Sequence, residues 1–234
     1  MKKRALVAGA GGFIGGHLSK KLLEMGYEVR AVDKKPLTKW YQVHDECDNL
    51  VLDLNGKENC YTAVNGYYEV FNLAADMGGM GFIENNKAEC MLSVLINTNL
   101  LRASLENKVK KYFFSSSACV YNASKQKNAF IEGLKEEDAY PAMPEDGYGW
   151  EKLFSERLFL SYHRNYSLPV AIARYHNIYG PEGTWDGGRE KAPAAICRKV
   201  ANLPAEGGEI EVWGDGLQTR SFLYIDECIE ASRR

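Results

Sequence analysis

The sequence predicts an α/β fold built on a doubly wound parallel sheet, and three observations predict it. Short apolar runs of buried-strand character alternate with segments of helical periodicity along residues 4–175. The first run, Arg4-Ala-Leu-Val-Ala8, feeds directly into a glycine-rich turn, Gly9-Ala-Gly-Gly12-Phe-Ile-Gly15. The chain has 234 residues, 45% of them hydrophobic, which is ample for a sheet covered on both faces.

After the turn, Ile14, Leu18 and Leu22 recur at helical spacing, and Gly26 closes that helix. A second strand over 27–32 ends at Asp33. Strand, glycine turn, helix, strand and terminal acid together form a dinucleotide-binding unit of the Rossmann type. The turn brings a pyrophosphate onto helix N–H groups, and the carboxylate accepts from a ribose 2′-OH. The competing reading is a tight turn with no ligand. Asp33 favours NAD, because its charge repels a 2′-phosphate, whereas Lys34 and Lys35 would receive one. A third strand is expected over 50–54 with Asp53 at its end. A fourth, over 69–75, closes in Leu73-Ala74-Ala75, small enough to let a nicotinamide ribose pass.

A helix follows over 86–106, then a strand over 111–117, a long loop, a helix ending near Tyr166 and a strand over 169–175. Beyond Gly180 the connections turn rich in Gly, Pro and Trp. A helix over 190–201 and short strands over 209–213 and 219–224 are expected there. The organisation read from this is a cofactor domain over 1–178 and a partial substrate domain over 179–234, with the chain returning to the first sheet near 219–226.

Chemistry concentrates in two pairs. Tyr148 and Lys152, four apart, share one helix face. An ammonium beside a phenol favours the phenolate, as oxidation of a sugar alcohol onto a nicotinamide requires. Ser117 and Cys119 close the 111–117 strand. The thiol has no use in simple alcohol oxidation, and its bland reading is a small buried hydrophobe.

The net charge of −2 gives no hint of nucleic acid or an anionic membrane as a partner. No apolar segment approaches the ~20 residues of a membrane span. The basic Lys2-Lys-Arg4 start mimics a signal peptide, but the apolar run after it breaks at once into glycines. The six cysteines are scattered without a CxxC pair, so no metal site is expected and the thiols fit a reducing, cytoplasmic compartment.

Three further segments are more restrictive: Phe71-Asn-Leu-Ala-Ala-Asp-Met-Gly-Gly-Met-Gly-Phe82, Ser116-Ser-Ala-Cys-Val-Tyr121 and Gly187-Gly-Arg-Glu-Lys191-Ala-Pro-Ala-Ala195. With His176-Asn-Ile-Tyr-Gly-Pro181 and Trp213-Gly-Asp-Gly-Leu-Gln-Thr-Arg-Ser-Phe222, they make the chain resemble the extended short-chain dehydrogenases/reductases that act on nucleotide sugars. Within that family it is similar to the epimerases acting at C3 and C5 of GDP-mannose. The resemblance implies NAD held by Gly9, Gly12, Phe13, Ile14, Gly15, Asp33, Asp53, Leu73, Ala74, Ala75, Tyr148 and Lys152. It implies transient oxidation at C4, with Tyr148 as base, Lys152 lowering its pKa and Ser117 bonding the C4 oxygen. The resulting ketone acidifies C3 and C5, where Cys119 is the implied base and Lys191 the implied acid.

Substrate contacts are implied for Gly78, Gly79, Met80, Ala118, Asn177, Glu190, Ala192, Lys199, Gln218, Thr219 and Arg220, as well as for Ser117, Cys119 and Lys191. Gly147 and Asn122 depart from the family's Ala and Pro. The family continues for a further segment, so the second domain is expected to be incomplete in this chain. A related 4-epimerase or 4,6-dehydratase, or a dinucleotide-binding module without turnover, are the alternatives. A homodimer is implied through the stretches 84–106 and 150–166, whose Leu92, Leu95, Leu100, Leu153, Phe154 and Leu158 occupy more than one face. Read from the residues alone, the second face packs on the sheet.

Overall fold

The computed structural model describes residues 2–234 apart from Gly79, residues 128–132, Trp213, Asp215 and Gln218. Its centre is a six-stranded parallel sheet of strands β1 (Arg4–Ala8), β2 (Glu28–Asp33), β3 (Asp48–Val51), β4 (Glu69–Asn72), β5 (Lys111–Ser117) and β6 (Val170–Tyr175). They lie in the order β3-β2-β1-β4-β5-β6, so the chain winds outward in both directions from β1.

Alternation along the strands divides the core in two. Leu6 and Ala8 of β1 point into one layer with Val70, Tyr112 and Phe114. That layer is closed by α2 (Lys57–Val64), α4 (Lys87–Glu106) and α5 (Asp146–Tyr166). Ala5 and Val7 point into the other with Phe71 and Phe113, under α1 (Phe13–Glu24) and α7 (Ile225–Arg233). Phe159 of α5 anchors the first layer, its ring centroid 4.5 Å from Phe114 and 5.1 Å from Tyr112. Truncating such a ring to alanine costs about 3–5 kcal/mol.

The third strand runs 48–51, not 50–54. Its register pairs Arg30 with Asp48, and after Leu52 donates to Asp33 the Asp53 side chain takes the Asn55 N–H and turns the chain. The fourth strand stops at Asn72, whose Oδ1 accepts from Ala74 N and leads the chain off the sheet. The helix expected from 86 begins at Lys87 behind a short α3 (Met80–Asn85).

The expected 190–201 helix starts later, as α6 (Ala192–Ala201), with Lys191 at its N-cap. Residues 209–212 form no strand, because no described strand lies beside them. Of the 219–224 run only β8 (Phe222–Tyr224) forms, paired in parallel with β7 (Asn177–Tyr179) as a separate two-stranded sheet. The chain therefore returns as a strand beside β7, and through α7 it packs on the main sheet next to α1 without adding a strand to it. Lys111 Nζ donates to Arg233 O at 2.7 Å, and Tyr175 hydrogen-bonds Ser232, fastening that return.

Leu100 and Leu153 belong to the core and Leu158 packs against it, whereas Leu92, Leu95 and Phe154 are exposed. Among the described residues no helix is long and apolar enough to cross a membrane.

Candidate active site

A cleft of about 570 Å3 lies along the carboxyl ends of β1, β2, β4, β5 and β6. Its floor at one end is the glycine turn. Gly9 has φ +83°, and a Cβ there would meet Ala74 N at 2.9 Å; a Cβ on Gly15 would meet Gly9 O at 2.2 Å. These closures let β1, α1 and β4 approach within backbone contact, so the first-turn N–H groups of α1 face the cleft without a side-chain cap. Phe13, Ile14, Asp33, Asp53, Leu73, Ala74 and Ala75 all line it with the turn glycines Gly9, Gly12 and Gly15.

Asp33 Oδ1 accepts from Lys35 N at 3.0 Å. The two lysines beside it are engaged elsewhere: Lys34 pairs with Asp76 at 2.6 Å, and Lys35 Nζ donates to Gly11 O at 2.7 Å. A cradle that any Cβ would fill, ending in a carboxylate rather than a free cation, fits a dinucleotide lacking a 2′-phosphate. The segment 180–184 crosses above the turn. Its Gly183 is so close to the Phe13 ring that a Cβ would lie 3.3 Å away, His17 Nε2 bonds Pro181 O at 3.0 Å, and Thr184 hydrogen-bonds Tyr41.

Ser117, Tyr148 and Lys152 line the middle of the cleft. Ser117 ends β5; its hydroxyl accepts from Cys119 N at 3.2 Å and lies near enough to the Tyr148 phenol to lower its pKa. Gly149 makes this closeness possible, since a Cβ there would meet Cys119 O at 2.4 Å. Lys152 Nζ sits 5.6 Å from the Tyr148 ring centroid and 4.7 Å from that of Phe114.

Burial raises the Tyr148 phenol well above its ordinary range, with Cys119 and Glu151 adding and the Ser117 bond opposing. Burial likewise lowers Lys152, against Glu151 and Glu156. Burial thus acts against the charged form of both groups and opposes the phenolate that the Tyr148 and Lys152 pairing favours.

Cys119 packs with Met77, Phe82, Ile83, Cys90 and Tyr148, and Ala118 packs with Val120, Tyr121 and Leu153; contrary to expectation neither lines the cleft. Burial pushes the Cys119 thiol up; the Ser117 bond and Lys191 pull it down, and Glu145 adds to the rise. Lys191 lines the cleft, with Nζ 3.4 Å from His176 O. Burial lowers its pKa while Cys119 raises it. The two side chains therefore feel each other, while burial disfavours the charged form of each.

The outer half of the cleft departs more from expectation. Gly78 lines it; Gly79, Gln218 and the Met80 side chain lie outside the described residues. Asn177 Nδ2 donates to Ser221 O, Lys199 Nζ to Glu211 O and Arg220 to Thr219 O, so backbone carbonyls hold all three away from the cleft. Glu190 accepts from Gly188 N and from Arg198, and that fork uses both its oxygens. Thr219 is exposed, and Ala192 yields the lining position to Pro193 and Ala194.

Arg189 was missed. Its guanidinium lies 3.8 Å over the Phe82 ring, donates to Met77 O and lines the cleft. Its place in the Arg-Glu-Lys segment was the available signal. His176 lines the cleft as well, its pKa lowered by burial and then by Lys191. Among the described residues no His, Cys, Asp and Glu cluster could hold a metal.

Residues 5–234 match the NAD dependent epimerase/dehydratase family. GDP-mannose 3,5-epimerase 1 of Oryza sativa subsp. japonica is 46% identical, covering 100% of this chain and 61% of its own length. GDP-mannose 3,5-epimerase of Arabidopsis thaliana is 47% identical, covering 97% and 60%. The chain thus spans about three fifths of the curated relatives it matches. Among solved structures, UDP-glucose 4-epimerase of Thermotoga maritima with UDP-glucose superposes with a TM-score of 0.84 at 25% identity, over 98% of this chain and 72% of that one. The UDP-glucose 4-epimerase of Thermus thermophilus in complex with NAD gives 0.78 at 25%, over 97% and 72%.

Proposed function

This chain belongs to the NAD dependent epimerase/dehydratase family, and from that membership we propose that it is the catalytic part of an NAD-dependent epimerase converting GDP-mannose to GDP-L-galactose. What supports the reading is that Lys191 lines the same cleft as Ser117, Tyr148 and Lys152, while Cys119 packs against Tyr148 and donates its N–H to Ser117. Oxidation and re-reduction at C4 need only the last three. The added thiol and amine suit proton exchange at carbons made acidic by a C4 ketone. The two relatives of 46% and 47% identity carry the name of that double inversion.

Bound NAD would supply the hydride acceptor at C4 and a positive charge in the cleft. Tyr148 takes the C4 hydroxyl proton and later returns it, and its buried position keeps water from that proton. Ser117, lining the cleft beside the same phenol, holds the C4 oxygen in line. Lys152 supplies the cation that makes loss of the phenol proton feasible in a dry site. Lys191, its pKa lowered by burial, gives up a proton more readily than an exposed lysine. Passage of the Cys119 thiol proton to the Lys191 amine would give the thiolate base and the ammonium acid together, each charge favouring the other. Residues 1–178 hold the cofactor in this reading and 179–234 contribute to the sugar side.

The engagement of Lys34 and Lys35 supports NAD over NADP. The exposed Met91, Leu92 and Leu95 on α4 and Trp150 and Phe154 on α5 support a homodimer through these helices. Six free cysteines suit the reducing cytoplasm.

The test is incubation with GDP-mannose and NAD in deuterated water, read by NMR. Deuterium is expected at C3 and C5 of recovered sugar, with GDP-L-galactose among the products. Cys119→Ser should stop exchange while C4 oxidation survives, and Tyr148→Phe should stop both. Inversion at C4 without exchange at C3 and C5 would replace this reading by a 4-epimerase. Sedimentation at micromolar concentration should give a dimer; a clean monomer would refute that part.

A further inference from the structure

The Lys152 ammonium must keep its proton in a site that discourages it. The side chain is 1% exposed, beneath the rings of Phe114 and Tyr148, and buried lysines lose several pKa units when nothing opposes desolvation. Two carboxylates on α5 face it. Glu156 is taken up by other partners: its Oε1 accepts from Ser116 at 2.5 Å, and Arg174 grips both oxygens at 3.0 and 2.8 Å.

Glu151 is different. It is equally buried, and its Oε1 accepts from Asn97 Nδ2 at 2.5 Å and from Ser155 Oγ at 2.8 Å. Asn97 in turn accepts from Asn72 Nδ2 at 2.8 Å, and Asn72 Oδ1 accepts from Ala74 N in the cleft wall. The carboxylate is thereby fixed from α4, α5 and β4 together. Its second oxygen has no hydrogen-bond partner among the described residues and stands 3.9 Å from Lys152 Nζ.

An acceptor needed only for Asn97 and Ser155 could be an amide. A buried carboxylate with one idle oxygen is costly unless its charge is matched, and the cation it faces is Lys152.

We propose that Glu151 is a positioning residue that keeps Lys152 protonated and seated beside Tyr148, acting through its charge without touching substrate or cofactor. The consequence for turnover rests on the epimerase reading above; the consequence for Lys152 does not. Glu151 also raises the Tyr148 phenol and so opposes phenolate formation. Its idle oxygen stands 3.9 Å from Lys152 Nζ, the contact on which the expected effect rests.

The test is a 15N NMR titration of the lysine Nζ signals in the 234-residue chain, with Lys152 assigned by its loss in Lys152→Met. Glu151→Gln keeps an acceptor for Asn97 and Ser155 while removing the charge. It should lower the Lys152 pKa by about one unit or more, a tenfold change in the ammonium-to-amine ratio. Ser155→Ala, which removes a donor but leaves the charge, should leave Lys152 near its wild-type value. In turnover assays Glu151→Gln should move the alkaline edge of kcat to lower pH.

An unchanged Lys152 pKa in Glu151→Gln would overturn the proposal, as would faster turnover at neutral pH. Should that variant fail to fold, Glu151→Asp retracts the charge instead and should shift Lys152 in the same direction by less; no shift would overturn it. A shifted Lys152 in a chain without activity on GDP-mannose would sink the epimerase reading and leave this inference standing.

Discussion

The two ends of the cleft are built by different means. At the cofactor end, recognition is made of backbone: a turn closed by Gly9 and Gly15, uncapped N–H groups of α1, and Asp33 at a strand end fixed by its register with β3. At the proposed sugar end the candidates are long side chains on β7, α6 and the segment before β8. Asn177, Lys199 and Arg220 there commit their donors to nearby carbonyls. Backbone geometry cannot be diverted in that way, so the first end is complete before any ligand arrives. In the proposed reading the second would exchange existing bonds for new ones.

Breaking the first end should have the largest effect. Gly15→Ala drives a methyl into Gly9 O, and no flexible atom can yield. Overpacking of this kind costs roughly 1–3 kcal/mol, so NAD affinity should fall about tenfold to a hundredfold by calorimetry. Affinity within twofold of wild type would show slack in the turn and weaken the contrast.

Next in size comes the sugar end. Arg189 already lines the cleft, braced by Phe82 and Met77 O. Arg189→Ala should weaken GDP-mannose binding about tenfold, the worth of one charge-assisted contact, while Lys199→Ala changes it less than twofold. The reverse order would mean that α6 and the 219–220 segment rearrange on binding.

A smaller and purely titrational effect sharpens the boundary between the two ends. The Cys119 thiol is raised chiefly by burial and lowered in part by Lys191. A group so raised forms thiolate only above the ordinary thiol range. Alkylation of Cys119 by iodoacetamide, read on its own peptide, should therefore be slow at about pH 7 and climb above about pH 9. Lys191→Met removes a lowering cation and should push that rise to still higher pH. A shift to lower pH would show that Lys191 does not face the sulfur.

The same contrast governs what could be read in advance. β1, the glycine turn, β5 and the Tyr148 helix stand in the sequence as periodicity, spacing and residue type, and they stand so in the fold. Their positions follow from burial, which the apolar pattern encodes. α2 escaped notice because Lys57, Glu58 and Asn59 mask its apolar Cys60, Ala63 and Val64. β7 is too short to carry a period, and α7 opens straight out of β8 with no punctuating residue. In the outer cleft the sequence pointed to charged residues whose targets are decided by rotamers and by neighbouring carbonyls. Glu190, drawn to Arg198 and Gly188 N, is the plainest instance. Glu151 was invisible for another reason: a carboxylate beside the Tyr148 and Lys152 motif reads as solvated until Asn97 and Ser155 are seen to enclose it.

One consequence of the divided core remains. Successive residues of β1 fill two chambers of different shape, Ala5 and Val7 in one, Leu6 and Ala8 in the other. Sliding the strand by one residue would send every one of these side chains into the wrong chamber. β1 therefore behaves like a key with teeth on both edges, and its depth in the sheet is set by the volumes of four small side chains. The glycines that follow carry no teeth of their own. Where they stop, and so where a phosphate would come to rest, is measured out by residues that never meet it.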